Sequence, residues 1–288
     1  MPELPEVETM KRGIAAVLGC TITAVDRPPC KLKPIELAPS LATFRKRAVG
    51  RSIVGLARVG KRVVVELDSH DRIILEPRMT GLVLVAWPPN QEHLRLVISL
   101  AGGRRKTSAA ELMFWDRRGL GSVRLVSPAE FEERYGLERV GPDALSVSPD
   151  MFRQRLAKSR RPVKVALLDQ QAVAGVGNLY ASEILHLAMV HPARPCHRLS
   201  ADQWQAVHAA MLHVLEEAIR HEGSTLSDGT YRNALNEAGG YQNHHRVYDR
   251  ADQPCSRCRT PIVRIVQAQR STFFCPSCQP GRARRSAK

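Results

Sequence analysis

The sequence predicts a multidomain α+β protein: a short N-terminal helix, an antiparallel β-sandwich or barrel, and a helical C-terminal part that ends in a cysteine-bearing segment. Three observations carry this. Between Thr21 and Val126 the apolar residues fall in short β-branched runs separated by Gly, Pro and charged turns. Beyond Ser148-Pro149 they recur at helical spacing. Near the end, two cysteine pairs stand at a regular separation. At 288 residues the chain can bury two cores.

The first eight residues, Met1-Pro-Glu-Leu-Pro-Glu-Val-Glu8, place a proline and a glutamate at the terminus. Once Met1 is removed, which a proline at position two favours, Pro2 presents a secondary amine beside the Glu3 carboxylate. A nucleophile and an acid/base suffice to attack an electrophilic carbon and form an imine. Judged alone, the same residues are the stiffened start of a helix. From Pro5 to Leu18, Val7, Met10, Ile14, Val17 and Leu18 share a face, with Glu6 and Glu8 at the start and Gly19 at the end. That helix would lock the terminus in place.

The runs predicted as strands are 22–25, 53–59, 63–67, 73–75, 82–85, 94–100, 111–114 and 122–126. Gly60-Lys61 joins two of them as a tight hairpin, and Lys61 taken by itself is a solvated turn lysine. Ser127-Pro-Ala-Glu130 is a capping box that opens a helix to Tyr135. The aperiodic stretch 136–148 reads as a linker. Helices follow at 152–158, 162–168, 179–189 and 202–221, the last capped by Ser200 and Gln203. Gly175-Val-Gly-Asn178 sits between two of them, where Asn178 is placed to cap the following helix at a phosphate-binding N-terminus. The boundaries are therefore 1–135, 136–148, 149–245, 246–280 and a basic tail, 281–288, whose composition predicts disorder.

Cys255-x2-Cys258 and Cys275-x2-Cys278, sixteen residues apart, read as a tetrahedral structural zinc site. Cys20, Cys30 and Cys196 are left as thiols without an assigned role. Lys plus Arg total 43 against 28 acidic residues, a net charge of +15, and the basic residues cluster at 45–47, 158–161 and 282–288. A polyanion is the matching partner. No apolar run is long enough to span a membrane and the N-terminus lacks a signal-peptide pattern, so a soluble cytoplasmic protein is expected; it is also expected to be a monomer.

Taken together, these residues resemble the formamidopyrimidine-DNA glycosylase family, relatives of endonuclease VIII. The resemblance lies in the Pro-Glu-Leu-Pro-Glu opening, the Gly60-Lys61 hairpin, Met79-Thr-Gly81, the 116–121 loop, Ala174 to Glu183, and Ala268 to Cys275. It implies a β-sandwich catalytic domain, a helix-two-turn-helix DNA-binding domain and a zinc-finger hairpin. It also implies a bifunctional glycosylase and abasic-site lyase for oxidised purines in double-stranded DNA. By similarity Pro2 is the nucleophile, Glu3 the acid/base, Lys61 a catalytic phosphate contact, and Glu6 a support for the terminus. Met79, Arg118 and Leu120 fill the gap left by the flipped base, while Lys164, Asn178 and Arg270 hold the flanking phosphates. Residues 224–241 correspond to a loop that closes over that base and is poorly ordered without DNA. Two positions depart from the family: Glu76 where histidine is usual, and Leu120 where an aromatic is usual. Both bear on the opposite-base preference. The alternatives are an oxidised-pyrimidine enzyme of the endonuclease VIII type, whose opening has glycine at the position of Leu4, and a non-catalytic zinc-ribbon DNA-binding protein, which would need neither Pro2 nor Glu3.

Overall fold

The computed structural model describes residues 2–103 and 110–281; removal of Met1 and the predicted disorder of residues 282–288 lie outside the described residues. The chain forms two units, Met1–Arg139 with Ala218–Gln242, and Val140–Glu217 with Asn243–Lys288. The first unit therefore takes back a segment that the sequence-drawn boundaries assign to the helical part, and residues 140–148 fold with the second unit.

In the first unit, helix α1 (Leu4–Gly13) runs into a 3-10 turn at Ala15–Val17. The continuous helix predicted to Leu18 stops early at Gly13, a poor helix former. Its side-chain-free surface meets Ala234, whose Cβ would lie 2.6 Å from any Cβ placed on Gly13. Strands β1 (Cys20–Asp26) and β2 (Glu36–Ala38) are followed by helix α2 (Leu41–Ala48). Next come β3 (Ile53–Val59), β4 (Arg62–Leu67), β5 (Arg72–Glu76), β6 (Gly81–Leu84), β7 (Leu94–Gly102), β8 (Glu111–Asp116) and β9 (Ser122–Val126). Helix α3 (Pro128–Tyr135) opens on the predicted Ser127/Glu130 capping box.

The strands make two sheets, β1-β7-β8-β6 and β2-β9-β5-β4-β3, whose inner faces share one core with Val7, Met10 and Ile14 of α1. This is a sandwich, and one pair corrects the all-antiparallel expectation: β2 runs parallel to β9. β2 and α2 escaped the sequence reading because Glu36-Leu-Ala38 has no β-branched alternation and α2 is only eight residues long. β4 is apolar on both faces for a reason. Val63, Val65 and Leu67 enter the main core, while Val64 packs with Ile74 and Val126 beneath Phe131 and Tyr135 of α3. The basic cluster at 45–47 lies on α2, where Arg45 pairs with Asp26 at 2.7 Å and Arg47 with Asp71 at 3.0 Å.

The returning segment carries Tyr231 and Ala234 into the same core. The amide of Val85 donates to the Ala234 carbonyl at 3.0 Å and Thr225 Oγ1 donates to the Tyr231 carbonyl at 2.8 Å. The region expected to be loosely ordered is thus anchored by two apolar side chains and internal hydrogen bonds.

In the second unit lie α4 (Pro149–Leu156), α5 (Val163–Leu167), α6 (Asn178–Leu187) and most of α7 (Ala201–Arg220), then the hairpin β10 (Val263–Gln267) and β11 (Arg270–Phe274). The predicted linker is partly structural: the Gly141 amide donates to the Gln170 carbonyl at 2.9 Å and the Ala144 amide to the Ala174 carbonyl at 3.0 Å. Ser200 and Gln203 cap α7 reciprocally, as the sequence predicts. Among the described residues no helix is long and apolar enough to cross a membrane.

Candidate active site and nucleic-acid interface

Pro2 is buried immediately ahead of α1, and Glu3 is the N-cap of that helix. The Glu3 side chain accepts from the backbone of Glu6, and Glu6 Oε2 accepts from the Glu3 amide at 2.8 Å. This reciprocal capping box, formed by two glutamates, fixes the first turn and with it the direction of the terminus. Glu6 is fixed in turn. Its Oε1 accepts the Ser224 amide at 2.9 Å, and the Tyr231 hydroxyl donates to the Glu222 carbonyl at 2.9 Å. Burial, then the Glu6 charge, push the Tyr231 phenol well above its ordinary value, so it stays a proton donor. Gly223 permits this approach: its φ is +77°, and a Cβ there would sit 2.9 Å from Glu6 Cγ.

Lys61 occupies the two-residue β3–β4 turn, in which Gly60 takes φ 56° and Val59 pairs with Arg62. Glycine at the first turn position with φ > 0 is the requirement of a type II′ hairpin. The hairpin is tied to α1 through Glu8, a residue the sequence offered only as a helix-start charge. Arg58 donates to Glu8 Oε2 at 3.0 Å and to the Gly60 carbonyl at 2.9 Å, while Lys11 and Arg12 reach Glu8 Oε1 at 2.9 and 2.8 Å. One carboxylate thus connects the helix of Pro2 to the turn of Lys61. Burial raises the Glu8 carboxyl, but the hydrogen bonds from Lys11, Arg12 and Arg58 outweigh it and hold the group below its ordinary value. An acid whose pKa is depressed on folding stabilises above its unfolded value of 4.5 and loses that contribution as pH falls through the lower, folded value. Glu8→Ala leaves Arg58 buried without its carboxylate, for an expected loss of about 3 kcal/mol. Urea titrations at pH 7 and pH 3 check it, with a smaller difference between the two proteins at pH 3.

Asp116, fully buried, organises the 116–121 loop. Its Oδ1 accepts from Thr80 Oγ1 at 2.5 Å and from the Arg118 amide at 3.1 Å; its Oδ2 accepts the Gly121 amide at 2.7 Å. Arg118 Nη1 lies 3.2 Å from Met79 Sδ, so these two exposed side chains stand together; Leu120, in the same loop as Arg118, is half-buried. Glu76 accepts from Arg62 at 3.1 Å and pairs with Arg78 at 3.6 Å.

In the second unit, Asn178 is the first residue of α6 and Gly177 is its N-cap, so the predicted capping role passes to glycine. The Asn178 side chain turns instead to the hairpin: Nδ2 donates to the Ser271 carbonyl at 3.0 Å and Oδ1 accepts from Lys164 Nζ at 2.6 Å. Lys164 is fully buried and also donates to Thr272 Oγ1 at 2.8 Å and the Ser271 carbonyl at 3.2 Å. An ammonium has three donors, and acceptors from α6 and β11 converge on this one. In this structure the ammonium is turned inward, where it locks α5, α6 and β11 together. Arg270 is exposed at the start of β11, after a turn in which Ala268 and Gln269 both have φ > 0, at 46° and 60°. Such a type I′ turn favours Asn-Gly. Gln269→Gly is expected to raise the melting stability of the hairpin by roughly 0.5–1 kcal/mol, measured as slower amide exchange at β10 and β11.

The Sγ atoms of Cys255, Cys258, Cys275 and Cys278 all lie within 4.8 Å of one another, with Cys258 to Cys275 at 3.4 Å and Cys255 to Cys278 at 4.0 Å. Bonds of about 2.3 Å in a tetrahedron separate sulfurs by about 3.8 Å, so the set is of a size to hold a single zinc ion. His186 Nε2 lies 3.4 Å from Cys255 Sγ, where an imidazole N–H supports a thiolate ligand. Glu183, buried on α6, accepts the amides of Arg246, Val247 and Tyr248 at 2.8, 2.9 and 2.8 Å and so fixes the chain entering the cysteine segment.

Comparison with known proteins matches residues 1–123 to the formamidopyrimidine-DNA glycosylase N-terminal domain, 140–230 to the formamidopyrimidine-DNA glycosylase H2TH domain, and 252–281 to a zinc finger found in FPG and IleRS. A formamidopyrimidine-DNA glycosylase of Chloroflexus aurantiacus is 42% identical over 97% of this chain and 98% of its own length. One from Deinococcus radiodurans is 39% identical over the whole of both chains. The crystal structure of the MutM (Fpg) protein of Thermus thermophilus superposes with a TM-score of 0.83 at 37% identity, covering 96% of this chain and 98% of that one. A Lactococcus lactis Fpg mutant in complex with Fapy-dG-containing DNA superposes at 0.84 with 31% identity, covering 97% and 100%. Sandwich, helical unit and cysteine hairpin together define the class, a DNA glycosylase of base-excision repair with one structural zinc. The chain belongs to the formamidopyrimidine-DNA glycosylase family.

Proposed function

We propose that this chain is a bifunctional glycosylase and abasic-site lyase acting on duplex DNA that carries oxidised purines, formamidopyrimidine and 8-oxoguanine, as a cytoplasmic monomer. The observation that carries the reading is the double fixation of the terminus: Glu3 and Glu6 cap α1 reciprocally while Ser224 holds Glu6 from the far end of the same unit. A terminus this constrained suits a nucleophile that must meet one carbon. Pro2, freed of Met1, attacks the anomeric carbon of a nucleotide flipped from the duplex, because a stacked base screens that carbon. The carbon–base bond breaks, the base leaves with a proton, and the ring-opened sugar is held as an imine. Glu3 moves protons to and from the sugar oxygen, and Lys61 neutralises the adjacent phosphate. The imine acidifies the neighbouring carbon, so β- and then δ-elimination cut the strand. Met79, Arg118 and Leu120 occupy the vacated stack. Asn178 and Arg270 take flanking phosphates, with Lys164 positioning Asn178, and the net charge of +15 supports binding to the rest of the duplex. Domain roles follow the sequence-drawn division, with the returning segment transferred: catalysis in 1–135 completed by 218–242, duplex binding in the rest of 149–245 and in the finger, 246–280.

Borohydride reduction with a duplex carrying one 8-oxoguanine tests this. The expected product is a covalent adduct at Pro2, absent when extra residues precede Pro2. A lesion duplex bound tightly but never trapped would favour the non-catalytic alternative; trapping only with an oxidised pyrimidine would favour the endonuclease VIII-like one.

A further inference from the structure

Beside the 116–121 loop lies a cavity of about 320 Å³ lined by Arg27, Pro28, Pro29, Cys30, Pro34 and Arg95, among others. Its floor is a buried guanidinium. Arg95 is 2% exposed, its Nη1 contacts Cys30 Sγ, and its Nη2 has no hydrogen-bond partner. A buried N–H without an acceptor is costly, and Arg95, which carries this one, is among the residues lining the cavity. The half-exposed thiol beside it donates to the Glu92 carbonyl at 3.3 Å. Arg95 also reaches the duplex-probing loop, since its Nε donates to the main-chain oxygen of Asp116 at 2.8 Å.

The remaining cysteines contrast with Cys30. Cys20 is fully buried and its Sγ contacts the carbonyls of Ala16 and Gly102. Cys196 is fully buried, and burial pushes its thiol up to about 11. The other four are the zinc ligands. Among the described residues, Cys30 is the thiol that combines a cavity with an unsatisfied cation.

We propose that Cys30 is a modification site for hydroperoxides, and that Arg95 holds the resulting sulfur oxyanion and transmits its formation to the loop bearing Arg118. The sulfur attacks one peroxide oxygen; an S–O bond forms and the O–O bond breaks. The departing oxygen takes the thiol proton and leaves as water from hydrogen peroxide, or as an alcohol from an alkyl hydroperoxide. Sulfur loses two electrons and the peroxide gains them. The new oxygen supplies the acceptor that Nη2 lacks, and once the S–OH proton passes to water it is an anion that draws the guanidinium fork toward the cavity. That pull competes with the Nε bond to Asp116, whose carboxylate sets the positions of Thr80, Arg118 and Gly121. The consequence for DNA rests on the glycosylase reading above; the chemistry at sulfur does not.

The test treats the zinc-loaded full chain with hydrogen peroxide and dimedone, which captures sulfenic acid, and maps the label by mass spectrometry. Cys30 is expected to be labelled at least about tenfold faster than Cys20 or Cys196, and Arg95→Lys to slow it. Oxidised protein is expected to lose roughly threefold to tenfold in affinity for an 8-oxoguanine duplex, with Cys30→Ser unaffected. No label at Cys30, or an unchanged rate in Arg95→Lys, overturns the site. A label without any change in affinity overturns the link to the loop. Untreated protein that neither binds nor cleaves the duplex would instead count against the glycosylase reading and leave the labelling result standing.

Discussion

Glu3→Gln is expected to lower base excision by about 10²–10⁴-fold, the usual contribution of a positioned acid/base, while DNA affinity changes little. The substitution isolates chemistry from structure. Glutamine keeps a carbonyl oxygen that can accept the Glu6 amide, and the Glu3 amide still donates to Glu6 Oε2, so the cap of α1 survives. The variant loses only the carboxyl group proposed to carry protons. Single-turnover excision under excess enzyme, beside a binding titration on the same duplex, separates the two effects. A parallel fall in affinity and excision would mean that Glu3 acts by holding the helix. Imine trapping on a preformed abasic site should decline less than excision does, because that substrate no longer requires base departure.

The second large effect is expected from removing zinc. Binding of a structural zinc ion contributes roughly 10–16 kcal/mol in small zinc modules, and that energy is folding energy. The local cluster of Val247, Ile262 and Phe273 around Cys255 and Cys275 is too small to hold the hairpin without it. Chelation, or Cys258→Ser, should therefore disorder β10 and β11 and cost at least about tenfold in DNA affinity through Arg270. The sandwich has its own core and should remain folded. Amide exchange read strand by strand would show fast exchange at 263–274 and unchanged protection at β4 and β5. Retained affinity in metal-free protein would remove Arg270 from the binding surface.

The loss should propagate along a defined route. Lys164 and Asn178 meet the hairpin at Ser271 and Thr272, so a released β11 takes away acceptors from a fully buried ammonium. An unsatisfied buried charge is strongly unfavourable. The region around α5 and the start of α6 is accordingly the next to loosen.

What could be read from the sequence divides along a physical line. The strand runs, the Gly60-Lys61 turn, the Ser127 cap and the cysteine spacing are local patterns, in which neighbours along the chain determine one another. The parallel strand at 36–38 and helix 41–48 carry no such pattern; the pairing partner of the strand is 86 residues away, at 122–124. Buried carboxylates were missed for a related reason. Glu8, Asp116 and Glu183 look like surface charges until the fold shows the amides and guanidiniums that converge on them. The inward direction of Lys164 is equally invisible in the sequence, because a lysine on a short helix reads the same whether its ammonium points outward or into the protein.

The bond between Glu6 and the Ser224 amide closes a loop of 218 residues. During synthesis the N-terminal segment leaves the ribosome first, yet the partner that fixes it is made 218 residues later. At roughly 5–20 residues per second, ten seconds or more separate the two. Over that interval the sandwich strands already present can pair, but Glu6 still lacks Ser224, Tyr231 and Gly223. The first turn is therefore tethered only when the returning segment arrives, and a chain truncated before 224 would keep most of its strands while leaving that turn untethered.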